Sequence, residues 1–415
     1  DYCFFLEDSG ARLVVVEQSH LDRLEQALAG FSESVTIVVV GPAAPGTLAL
    51  ADLLVEHRGE LPPADTHRDD MAFWLCSGGS TGRPKEVVHL QRDMPYTHVT
   101  YAQQVIGLNE ADVMFSRVLY HAYGLGNCLT FPFSAGASAV LMSGRPAPKT
   151  IIDTVQRFRP TLLGLVPTLY NAILNDPAAD EADLSSIRLC ISAAEPLPPD
   201  TWRRWHEKFG LTILDGIGST EMLHIFCSNS ANALRPGSSG QPVPGYELRI
   251  LDADGLPVAP GQAGELHVKG DSAAAFYWRQ RDKSKDTFRG DWVVTGDRYR
   301  RDDDGFYWYE GRSDDMIKVG GEWVSPIEIE NVLVEHAGVR EVAVVGVPVD
   351  GFMRIRAVVV CVHAGEGSPE LVGELQEWCK SRLQRYQYPH IVDFVAELPK
   401  TMTGKIQRFM LREPA

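Results

Sequence analysis

Ser77-Gly78-Gly79-Ser80-Thr81-Gly82-Arg83-Pro84-Lys85 decides how the rest of this chain is read. Glycines alternate with hydroxyl side chains, and a lysine closes the run. Glycine lets a backbone approach a ligand closely and adopt positive φ. Successive N–H groups, hydroxyls and an ammonium suit a polyphosphate. The apolar segment Met71-Ala72-Phe73-Trp74-Leu75-Cys76 comes just before. It predicts a buried strand that delivers the loop to the end of a sheet, where α/β proteins bind ligands.

Two other motifs overlap this loop and fail. Gly78-Gly79-Ser80-Thr81-Gly82 spells G-x-S-x-G, but a nucleophile elbow needs a helix straight after it and a histidine partner. Pro84 removes a donor and biases Arg83 toward extended geometry. A Walker A loop needs lysine directly after its last glycine, and here Arg83 and Pro84 intervene. Taken alone the run also reads as an ordinary surface loop, so the decision passes to the rest of the chain.

The 415 residues imply two or three domains with ample core. Hydrophobic content of 44% with 23% charged residues is soluble-globular composition. The net charge of −16 argues against a nucleic-acid or anionic-membrane partner. An anionic ligand must then be met by local cations. Cys3, Cys76, Cys128, Cys190, Cys227, Cys361 and Cys379 include no CxxC pair. Scattered through apolar segments, they read as reduced core thiols of a cytoplasmic protein. No apolar stretch approaches the ~20 residues of a membrane span, and no signal peptide is visible. The chain opens at Asp1 without methionine, which fits a fragment.

Outward from the loop, the first two-thirds alternates apolar strands with helices. Strands are expected at residues 11–17, 35–40, 137–142, 161–166, 187–192 and 212–214, with helices near 21–28, 150–158 and 201–209. Such alternation implies a parallel sheet with helices on both faces. After about Arg235 the pattern turns β-rich, with short strands at 246–251, 264–268 and 305–309. A charged hinge-like stretch, Gly311-Arg312-Ser313-Asp314-Asp315, leads to a small α+β unit. Ser325-Pro326-Ile327-Glu328 opens a helix there, with an N-cap serine, proline at N1 and glutamate at N3. Strands at 339–347, 356–362 and 391–395 and a helix near 370–383 complete it. The domain boundary is placed between Ser313 and Asp314.

Four further segments carry chemistry. Asp215-Gly216-Ile217-Gly218-Ser219-Thr220-Glu221 follows an apolar strand; Thr220 can donate to a phosphate, and Glu221 offers the hard oxygen that Mg²⁺ favours alongside substrate phosphates. Thr295-Gly296-Asp297 puts a carboxylate after a strand, suited to ribose hydroxyls. Arg312 is a cation beside the proposed hinge. Pro399-Lys400-Thr401-Met402-Thr403-Gly404-Lys405 places a lysine on a polar loop near the C-terminus.

In this order the segments resemble the acyl-adenylate-forming superfamily of acyl- and aryl-CoA ligases, peptide-synthetase adenylation domains and luciferase. The resemblance covers essentially the whole chain. His121-Ala122-Tyr123-Gly124-Leu125-Gly126-Asn127, the Asp215–Phe226 stretch and Trp323-Val324-Ser325-Pro326 are most similar to benzoate-CoA ligases. Two positions depart from the pattern: Gly78 stands where serine or threonine is usual, and Glu86 where glycine is usual.

The resemblance implies an α/β fold. A large N-terminal domain (1–313) of parallel and mixed sheets with flanking helices would include a β-rich subdomain at about 236–313. A small mobile α+β C-terminal domain would span 314–415. The family's large domain starts earlier, so the opening segment is expected to be missing. The implied activity is AMP-forming ligation of a benzoate-type acid to CoA with ATP and Mg²⁺. The alternative is loading of an aryl group onto a carrier protein's phosphopantetheine. Intact Glu221, Asp297, Arg312 and Lys405 count against a non-catalytic relative.

The resemblance also implies roles. Lys405, Glu221 and Thr220 would be catalytic, with Glu221 the metal ligand. Ser77, Gly79, Ser80, Thr81, Gly82, Lys85, Asp215, Asp297 and Arg312 would hold ATP. Ala122, Tyr123, Gly216, His224 and Ile225 would line the aryl pocket, where a flat apolar acid wants an aromatic wall and a small residue beside it. Asp314 would be the hinge, and Gly320 and Gly321 would border the thiol tunnel.

Overall fold

The computed structural model describes the chain apart from residues 1, 32–33, 78–83, 145, 314, 320–321, 350–351, 364, 366, 401–405 and 413–415. The chain forms two compact units, Asp1–Thr66 and His67–Ala415.

In the first unit, the strands Leu13–Glu17, Thr36–Val40 and Leu48–Ala49 form a parallel sheet. The helices Tyr2–Ser9 and Leu21–Leu28 supply Leu6, Leu21 and Leu24, which pack with Val16 and Val39.

The centre of the second unit is a seven-stranded sheet. Its order is Gln241–Pro242, Ile225–Ser228, Ile213–Gly218, Leu189–Ser192, Leu162–Leu165, Val113–Phe115, Ser138–Val140. The last five run parallel, and the first two are antiparallel additions at one edge. Its central strands Leu162–Leu165 and Leu189–Ser192 are mostly apolar because both faces are buried. Side chains alternate along a strand. Met114, Leu162, Ile191 and Leu214 therefore enter one core, while Phe115, Leu163, Cys190 and Ile213 enter the other. The second core is closed by the helices Pro148–Phe158 and Pro199–Phe209 through Ile151, Val155 and Trp205. The first is closed partly by helical Tyr101 and Phe131 and partly by the β-rich sheet through Leu266, Val268 and Tyr299. The expected cover of helices on both faces is thus corrected: a sheet shares one face.

The β-rich sheet pairs Glu247–Leu251, Ala263–Lys269, Trp292–Arg301 and Phe288–Arg289 in that order, with Tyr307–Arg312 also on Trp292–Arg301. A separate core, with Ile317, Ile329, Leu333, Val344, Ile355 and Leu375, underlies the sheet of Val339–Val349, Phe352–Cys361 and Ile391–Phe394. The helix Pro326–Val334 starts as expected, with the Ser325 hydroxyl accepting from the Glu328 N–H.

Three local expectations need correction. The strand Met71–Ser77 belongs to an antiparallel three-stranded sheet with Lys85–Leu90 and Phe276–Tyr277, and of its side chains only Leu75 is fully buried. The 78–83 loop therefore joins a hairpin. Asp215 lies inside the strand Ile213–Gly218 and Asp297 inside Trp292–Arg301, not after them. Cys3 and Cys76 are exposed, while the other five cysteines are buried. Among the described residues no helix is long and apolar enough to cross a membrane.

Candidate active site

The hairpin aligns Ser77 with Lys85 at the end where residues 78–83 connect its strands. The Lys85 ammonium stands 4.9 Å from the Tyr277 ring centroid, and Glu86 is buried opposite Cys76. Adjacent strand residues face opposite sides, which separates that carboxyl from the Lys85 direction. The Tyr277 hydroxyl donates to Glu221 Oε1 at 2.7 Å. Burial first, and the Glu221 charge second, push the phenol above its ordinary value, so it stays a donor. Lys85, Tyr277 and Glu221 thus converge from the two ends of a long stretch of sequence. A cavity of about 330 Å³ adjoins Tyr277, lined also by Phe276, Arg279, Gln280, Arg281 and Ser284.

Glu221 sits in the 3₁₀ turn Thr220–Met222, and each carbonyl of that turn is held by a different group. His89 Nε2 meets the Thr220 carbonyl at 2.8 Å. The Ala274 N–H donates to Glu221 at 2.8 Å, and the Ser272 hydroxyl donates to Met222 at 2.8 Å. The Ser219 hydroxyl caps the turn by accepting from the Met222 N–H. Among the described residues no group of three or more His, Cys, Asp or Glu side chains is placed to hold a metal. Mg²⁺ commonly binds through one or two carboxylates plus substrate phosphates. A single braced, partly buried Glu221 with one oxygen held by Tyr277 fits that mode.

On the β-rich sheet, Asp297 and Arg312 are cross-strand partners. Arg312 Nη1 donates to Asp297 Oδ1 at 3.1 Å and to the Thr295 carbonyl at 2.9 Å. Gly296, inside that strand, has φ 72°, a backbone conformation that favours glycine, and a Cβ there would lie 2.8 Å from Arg312 Nη2. Tyr277 also feels the Arg312 charge, which places this pair near the Glu221 turn. Asp215 is buried, and burial pushes its carboxyl up to about 8. Its carbonyl accepts from the Asn229 backbone and side-chain amides.

The apolar side begins at Leu223, a non-glycine residue at φ 64°. His224 follows, 2% exposed. Its ring stacks on Tyr123 (centroids 5.8 Å), meets the edge of Phe131 (4.5 Å) and tilts against Tyr101 (5.0 Å). Burial drives its pKa down to about 3, against the pull of the Tyr123 carbonyl 3.3 Å from Nε2. The ring is therefore neutral at physiological pH. Gly126 makes the space: a Cβ there would lie 2.4 Å from His224 Cδ2. Ala122 packs with Leu75 and Leu223, and the Tyr123 hydroxyl donates to the Ile191 carbonyl at 3.0 Å. A Cβ on Gly216 would press on Cys227 O and Ile225 Cγ2 at 2.8 and 2.9 Å. The structure thus gathers Ala122, Tyr123, Gly216, His224 and Ile225. The sequence reading did not single out Tyr101, Phe131, Gly126, His89 or Asp93. Gly126 was visible inside the Gly124-x-Gly126 spacing, whereas the other four carried no local signal.

Gly79, Ser80, Thr81, Gly82, Asp314, Gly320, Gly321 and Lys405 lie outside the described residues. The flanks of the Lys405 segment are placed, however. Lys400 pairs with Glu341, and Arg408 grips both Glu330 oxygens at 2.7 and 2.8 Å. Both cations act on Glu195, just beyond the Leu189–Ser192 strand, whose carboxyl is raised by burial and bonded by the Thr168 hydroxyl at 2.6 Å. Lys400 and Arg408 therefore lie near the carboxyl edge of the main sheet.

Known proteins share this arrangement. The AMP-binding enzyme family matches residues 1–278, and the AMP-binding enzyme C-terminal domain matches residues 328–405. A benzoate–CoA ligase of Thauera aromatica is 46% identical over 99% of this chain and 78% of its own. The solved benzoate CoA ligase of Burkholderia xenovorans superposes with TM-score 0.92 at 44% identity, covering 99% of this chain and 82% of its own. An anthranilate CoA ligase solved with anthranoyl-AMP superposes with TM-score 0.95 at 40% identity, over 99% of this chain and 79% of its own. On the matched length and the shared fold, the chain belongs to the AMP-binding enzyme family.

Proposed function

We propose that the chain is an AMP-forming aryl acid–CoA ligase that activates a benzoate-type carboxylate with ATP and passes it to CoA. The observation that carries this reading is a single short segment that sets a braced acidic turn against an aromatic cage. Glu221 stands on the polar side and neutral His224 on the apolar side. The similarity to benzoate– and anthranilate–CoA ligases supports the same class of acid.

A carboxylate is a poor acyl donor because its leaving group would be oxide. Its oxygen attacks the α-phosphorus of ATP, the bond to the bridging oxygen breaks, and pyrophosphate departs. The thiol sulfur of CoA then attacks the acyl carbon, losing its proton to solvent, and AMP leaves with the bonding pair. The first transition state concentrates negative charge between acid and phosphates, so positioning and electrostatics carry the catalysis. Mg²⁺ bound at Glu221 would neutralise phosphate charge. Ser77, Lys85 and the 79–82 loop would hold the departing pyrophosphate. Thr220 would donate to a phosphate oxygen, and Asp297 with Arg312 would take the ribose. Asp215, protonated through burial, would offer a donor. Ala122, Tyr123, Gly216, His224 and Ile225 would hold the ring.

Lys405 would bridge the carboxylate and the α-phosphate. We place the domain boundary between Ser313 and Asp314, with residues 236–313 a β-rich subdomain of the large domain and 314–415 the mobile unit. The self-contained core around Ile329 and Leu375 supports that division. Rotation about Asp314 would exchange Lys405 for the Gly320-Gly321 face, where glycines let a pantetheine arm pass. We assign the chain to the cytoplasm on its free thiols.

The test separates the half-reactions. Lys405→Ala should lower aryl-AMP formation by about 3–4 kcal/mol of barrier, measured as AMP and pyrophosphate release, while thiolysis of supplied aryl-AMP survives. Equal loss of both steps would break the two-state scheme. A parallel assay offering CoA or a phosphopantetheinyl carrier protein should give turnover with CoA; turnover with the carrier alone would favour starter loading.

A further inference from the structure

His89 lies on the Lys85–Leu90 strand, directly after the phosphate loop, yet it reaches a carbonyl 131 residues away at Thr220. Its other nitrogen, Nδ1, meets Asp93 Oδ2 at 2.8 Å. Both side chains are 0% exposed. Asp93 Oδ2 also accepts from the Leu90 N–H at 3.0 Å, and the Phe73 ring stacks 5.4 Å from the imidazole. The ring is therefore fixed by a carboxylate on one side and an aromatic face on another.

Both ring nitrogens face acceptors, one a carboxylate and the other a carbonyl. A neutral imidazole carries a single N–H. Holding both contacts takes one proton on Nε2 toward the Thr220 carbonyl and a second between Nδ1 and Asp93. Fully buried ion pairs are weak general stabilisers, because desolvation offsets their attraction. An apolar pair of similar volume would serve the core as well. What an apolar pair cannot do is hold the Thr220 carbonyl.

We propose that His89, oriented by Asp93, is a positioning residue for the adenylation step. It ties the strand that carries Lys85 to the turn that carries Thr220 and Glu221, and so fixes the spacing between the cation and the carboxylate that share the nucleotide phosphates. The other two carbonyls of the turn are held by Ser272 and Ala274, outside the hairpin. Loss of the histidine would leave the turn folded but free to drift relative to the phosphate loop. This inference rests on the reading that the site binds ATP with a divalent cation.

The experiment compares wild type, Asp93→Asn and His89→Gln. It reads ATP binding by calorimetry, Mn²⁺ binding by electron paramagnetic resonance with a non-hydrolysable ATP analogue, both half-reactions, and the thermal midpoint. Glutamine offers one donor group and cannot bridge both acceptors, whereas asparagine keeps an acceptor for the ring N–H. In His89→Gln, ATP binding should weaken and the KM for ATP rise by about tenfold or more, the worth of one charge-assisted hydrogen bond. Asp93→Asn should fall between it and wild type. The KM for the aryl acid and thiolysis of supplied aryl-AMP should stay within about twofold of wild type. Unchanged ATP and Mn²⁺ binding in both variants would overturn the proposal. So would equal losses in both half-reactions that follow the thermal midpoint, since that is a purely structural role. If His89→Gln fails to fold, Asp93→Asn carries the same comparison by itself. Wild type that binds no ATP would overturn the functional reading and the inference with it.

Discussion

Glu221 and His224 belong to one short segment yet occupy opposite environments. Glu221 is partly buried, with one carboxylate oxygen bonded to a tyrosine and its backbone braced from outside the turn. His224 is enclosed by Tyr101, Tyr123 and Phe131 and has lost its charge to burial. Between them, Leu223 takes a strained backbone conformation at φ 64° and ψ −30°. A residue held in so sparsely populated a conformation costs about 1–3 kcal/mol, and its burial beside Leu75 and Ala122 offsets the strain. The kink turns the chain so that the carboxylate faces the phosphate hairpin while the imidazole enters the sheet's apolar core. On the proposed function, phosphate chemistry and ring recognition would thereby be kept within a few residues of each other without mixing their dielectric environments. On that same function, the acyl adenylate would form where an apolar ring and a polyphosphate meet, and this segment would build both sides of that junction.

Three substitutions probe that division. The largest effect should come from Glu221→Gln, which keeps the shape and removes the charge. Aryl-AMP formation should fall by about 10²–10³-fold, the scale of losing one preorganised electrostatic group, with aryl-acid binding retained. Single-turnover AMP release checks this, and a loss below about tenfold would unseat Glu221 from the polar half.

Gly126→Ala acts on the apolar half alone. The new Cβ would sit 2.4 Å from His224 Cδ2 and 2.7 Å from Nε2, so the ring must move, at about 1–3 kcal/mol for overpacking. The KM for the aryl acid should rise while calorimetric ATP binding holds. Parallel loss of both would mean that the two halves are coupled through more than the Leu223 kink.

The smallest effect is the acid limb of stability. The His224 pKa is depressed to about 3 in the fold, below its unfolded value of about 6.5. Between those values the native state binds fewer protons than the unfolded chain. Stability therefore declines as pH falls through that window, by up to about 1.4 kcal/mol per pH unit from this group, and is unaffected by it above the unfolded value. His224→Gln should flatten that slope by the same amount in urea melts from pH 7 to pH 4. Identical slopes would show that the imidazole is not held neutral.

Much of this was legible from local pattern. The order of phosphate loop, acidic turn, Thr295-Gly296-Asp297 and C-terminal lysine loop is linear information, and it pointed to nucleotide chemistry before any coordinates. The parallel strands stood out because strands buried on both faces are mostly apolar. The Ser325 cap was readable because its partner is three residues away. The hairpin was misjudged as a buried strand feeding a sheet end, since an apolar run does not reveal which neighbour it pairs with. His89 and Asp93 passed unnoticed because a histidine four residues before an aspartate says nothing until Thr220 arrives.

Residue type and order alone showed which groups the chain offers: a glycine-rich loop, a carboxylate after Gly-Ser-Thr, the His121–Asn127 run and a distant lysine. These follow from residue type and spacing, which act over one or two turns of chain. Only the tertiary structure decided which of them meet. It set Tyr277 on Glu221, His89 on the Thr220 carbonyl, and three aromatic rings around His224. Those contacts join segments far apart in sequence, and they exist because strand pairing and the burial of apolar faces bring the backbones together.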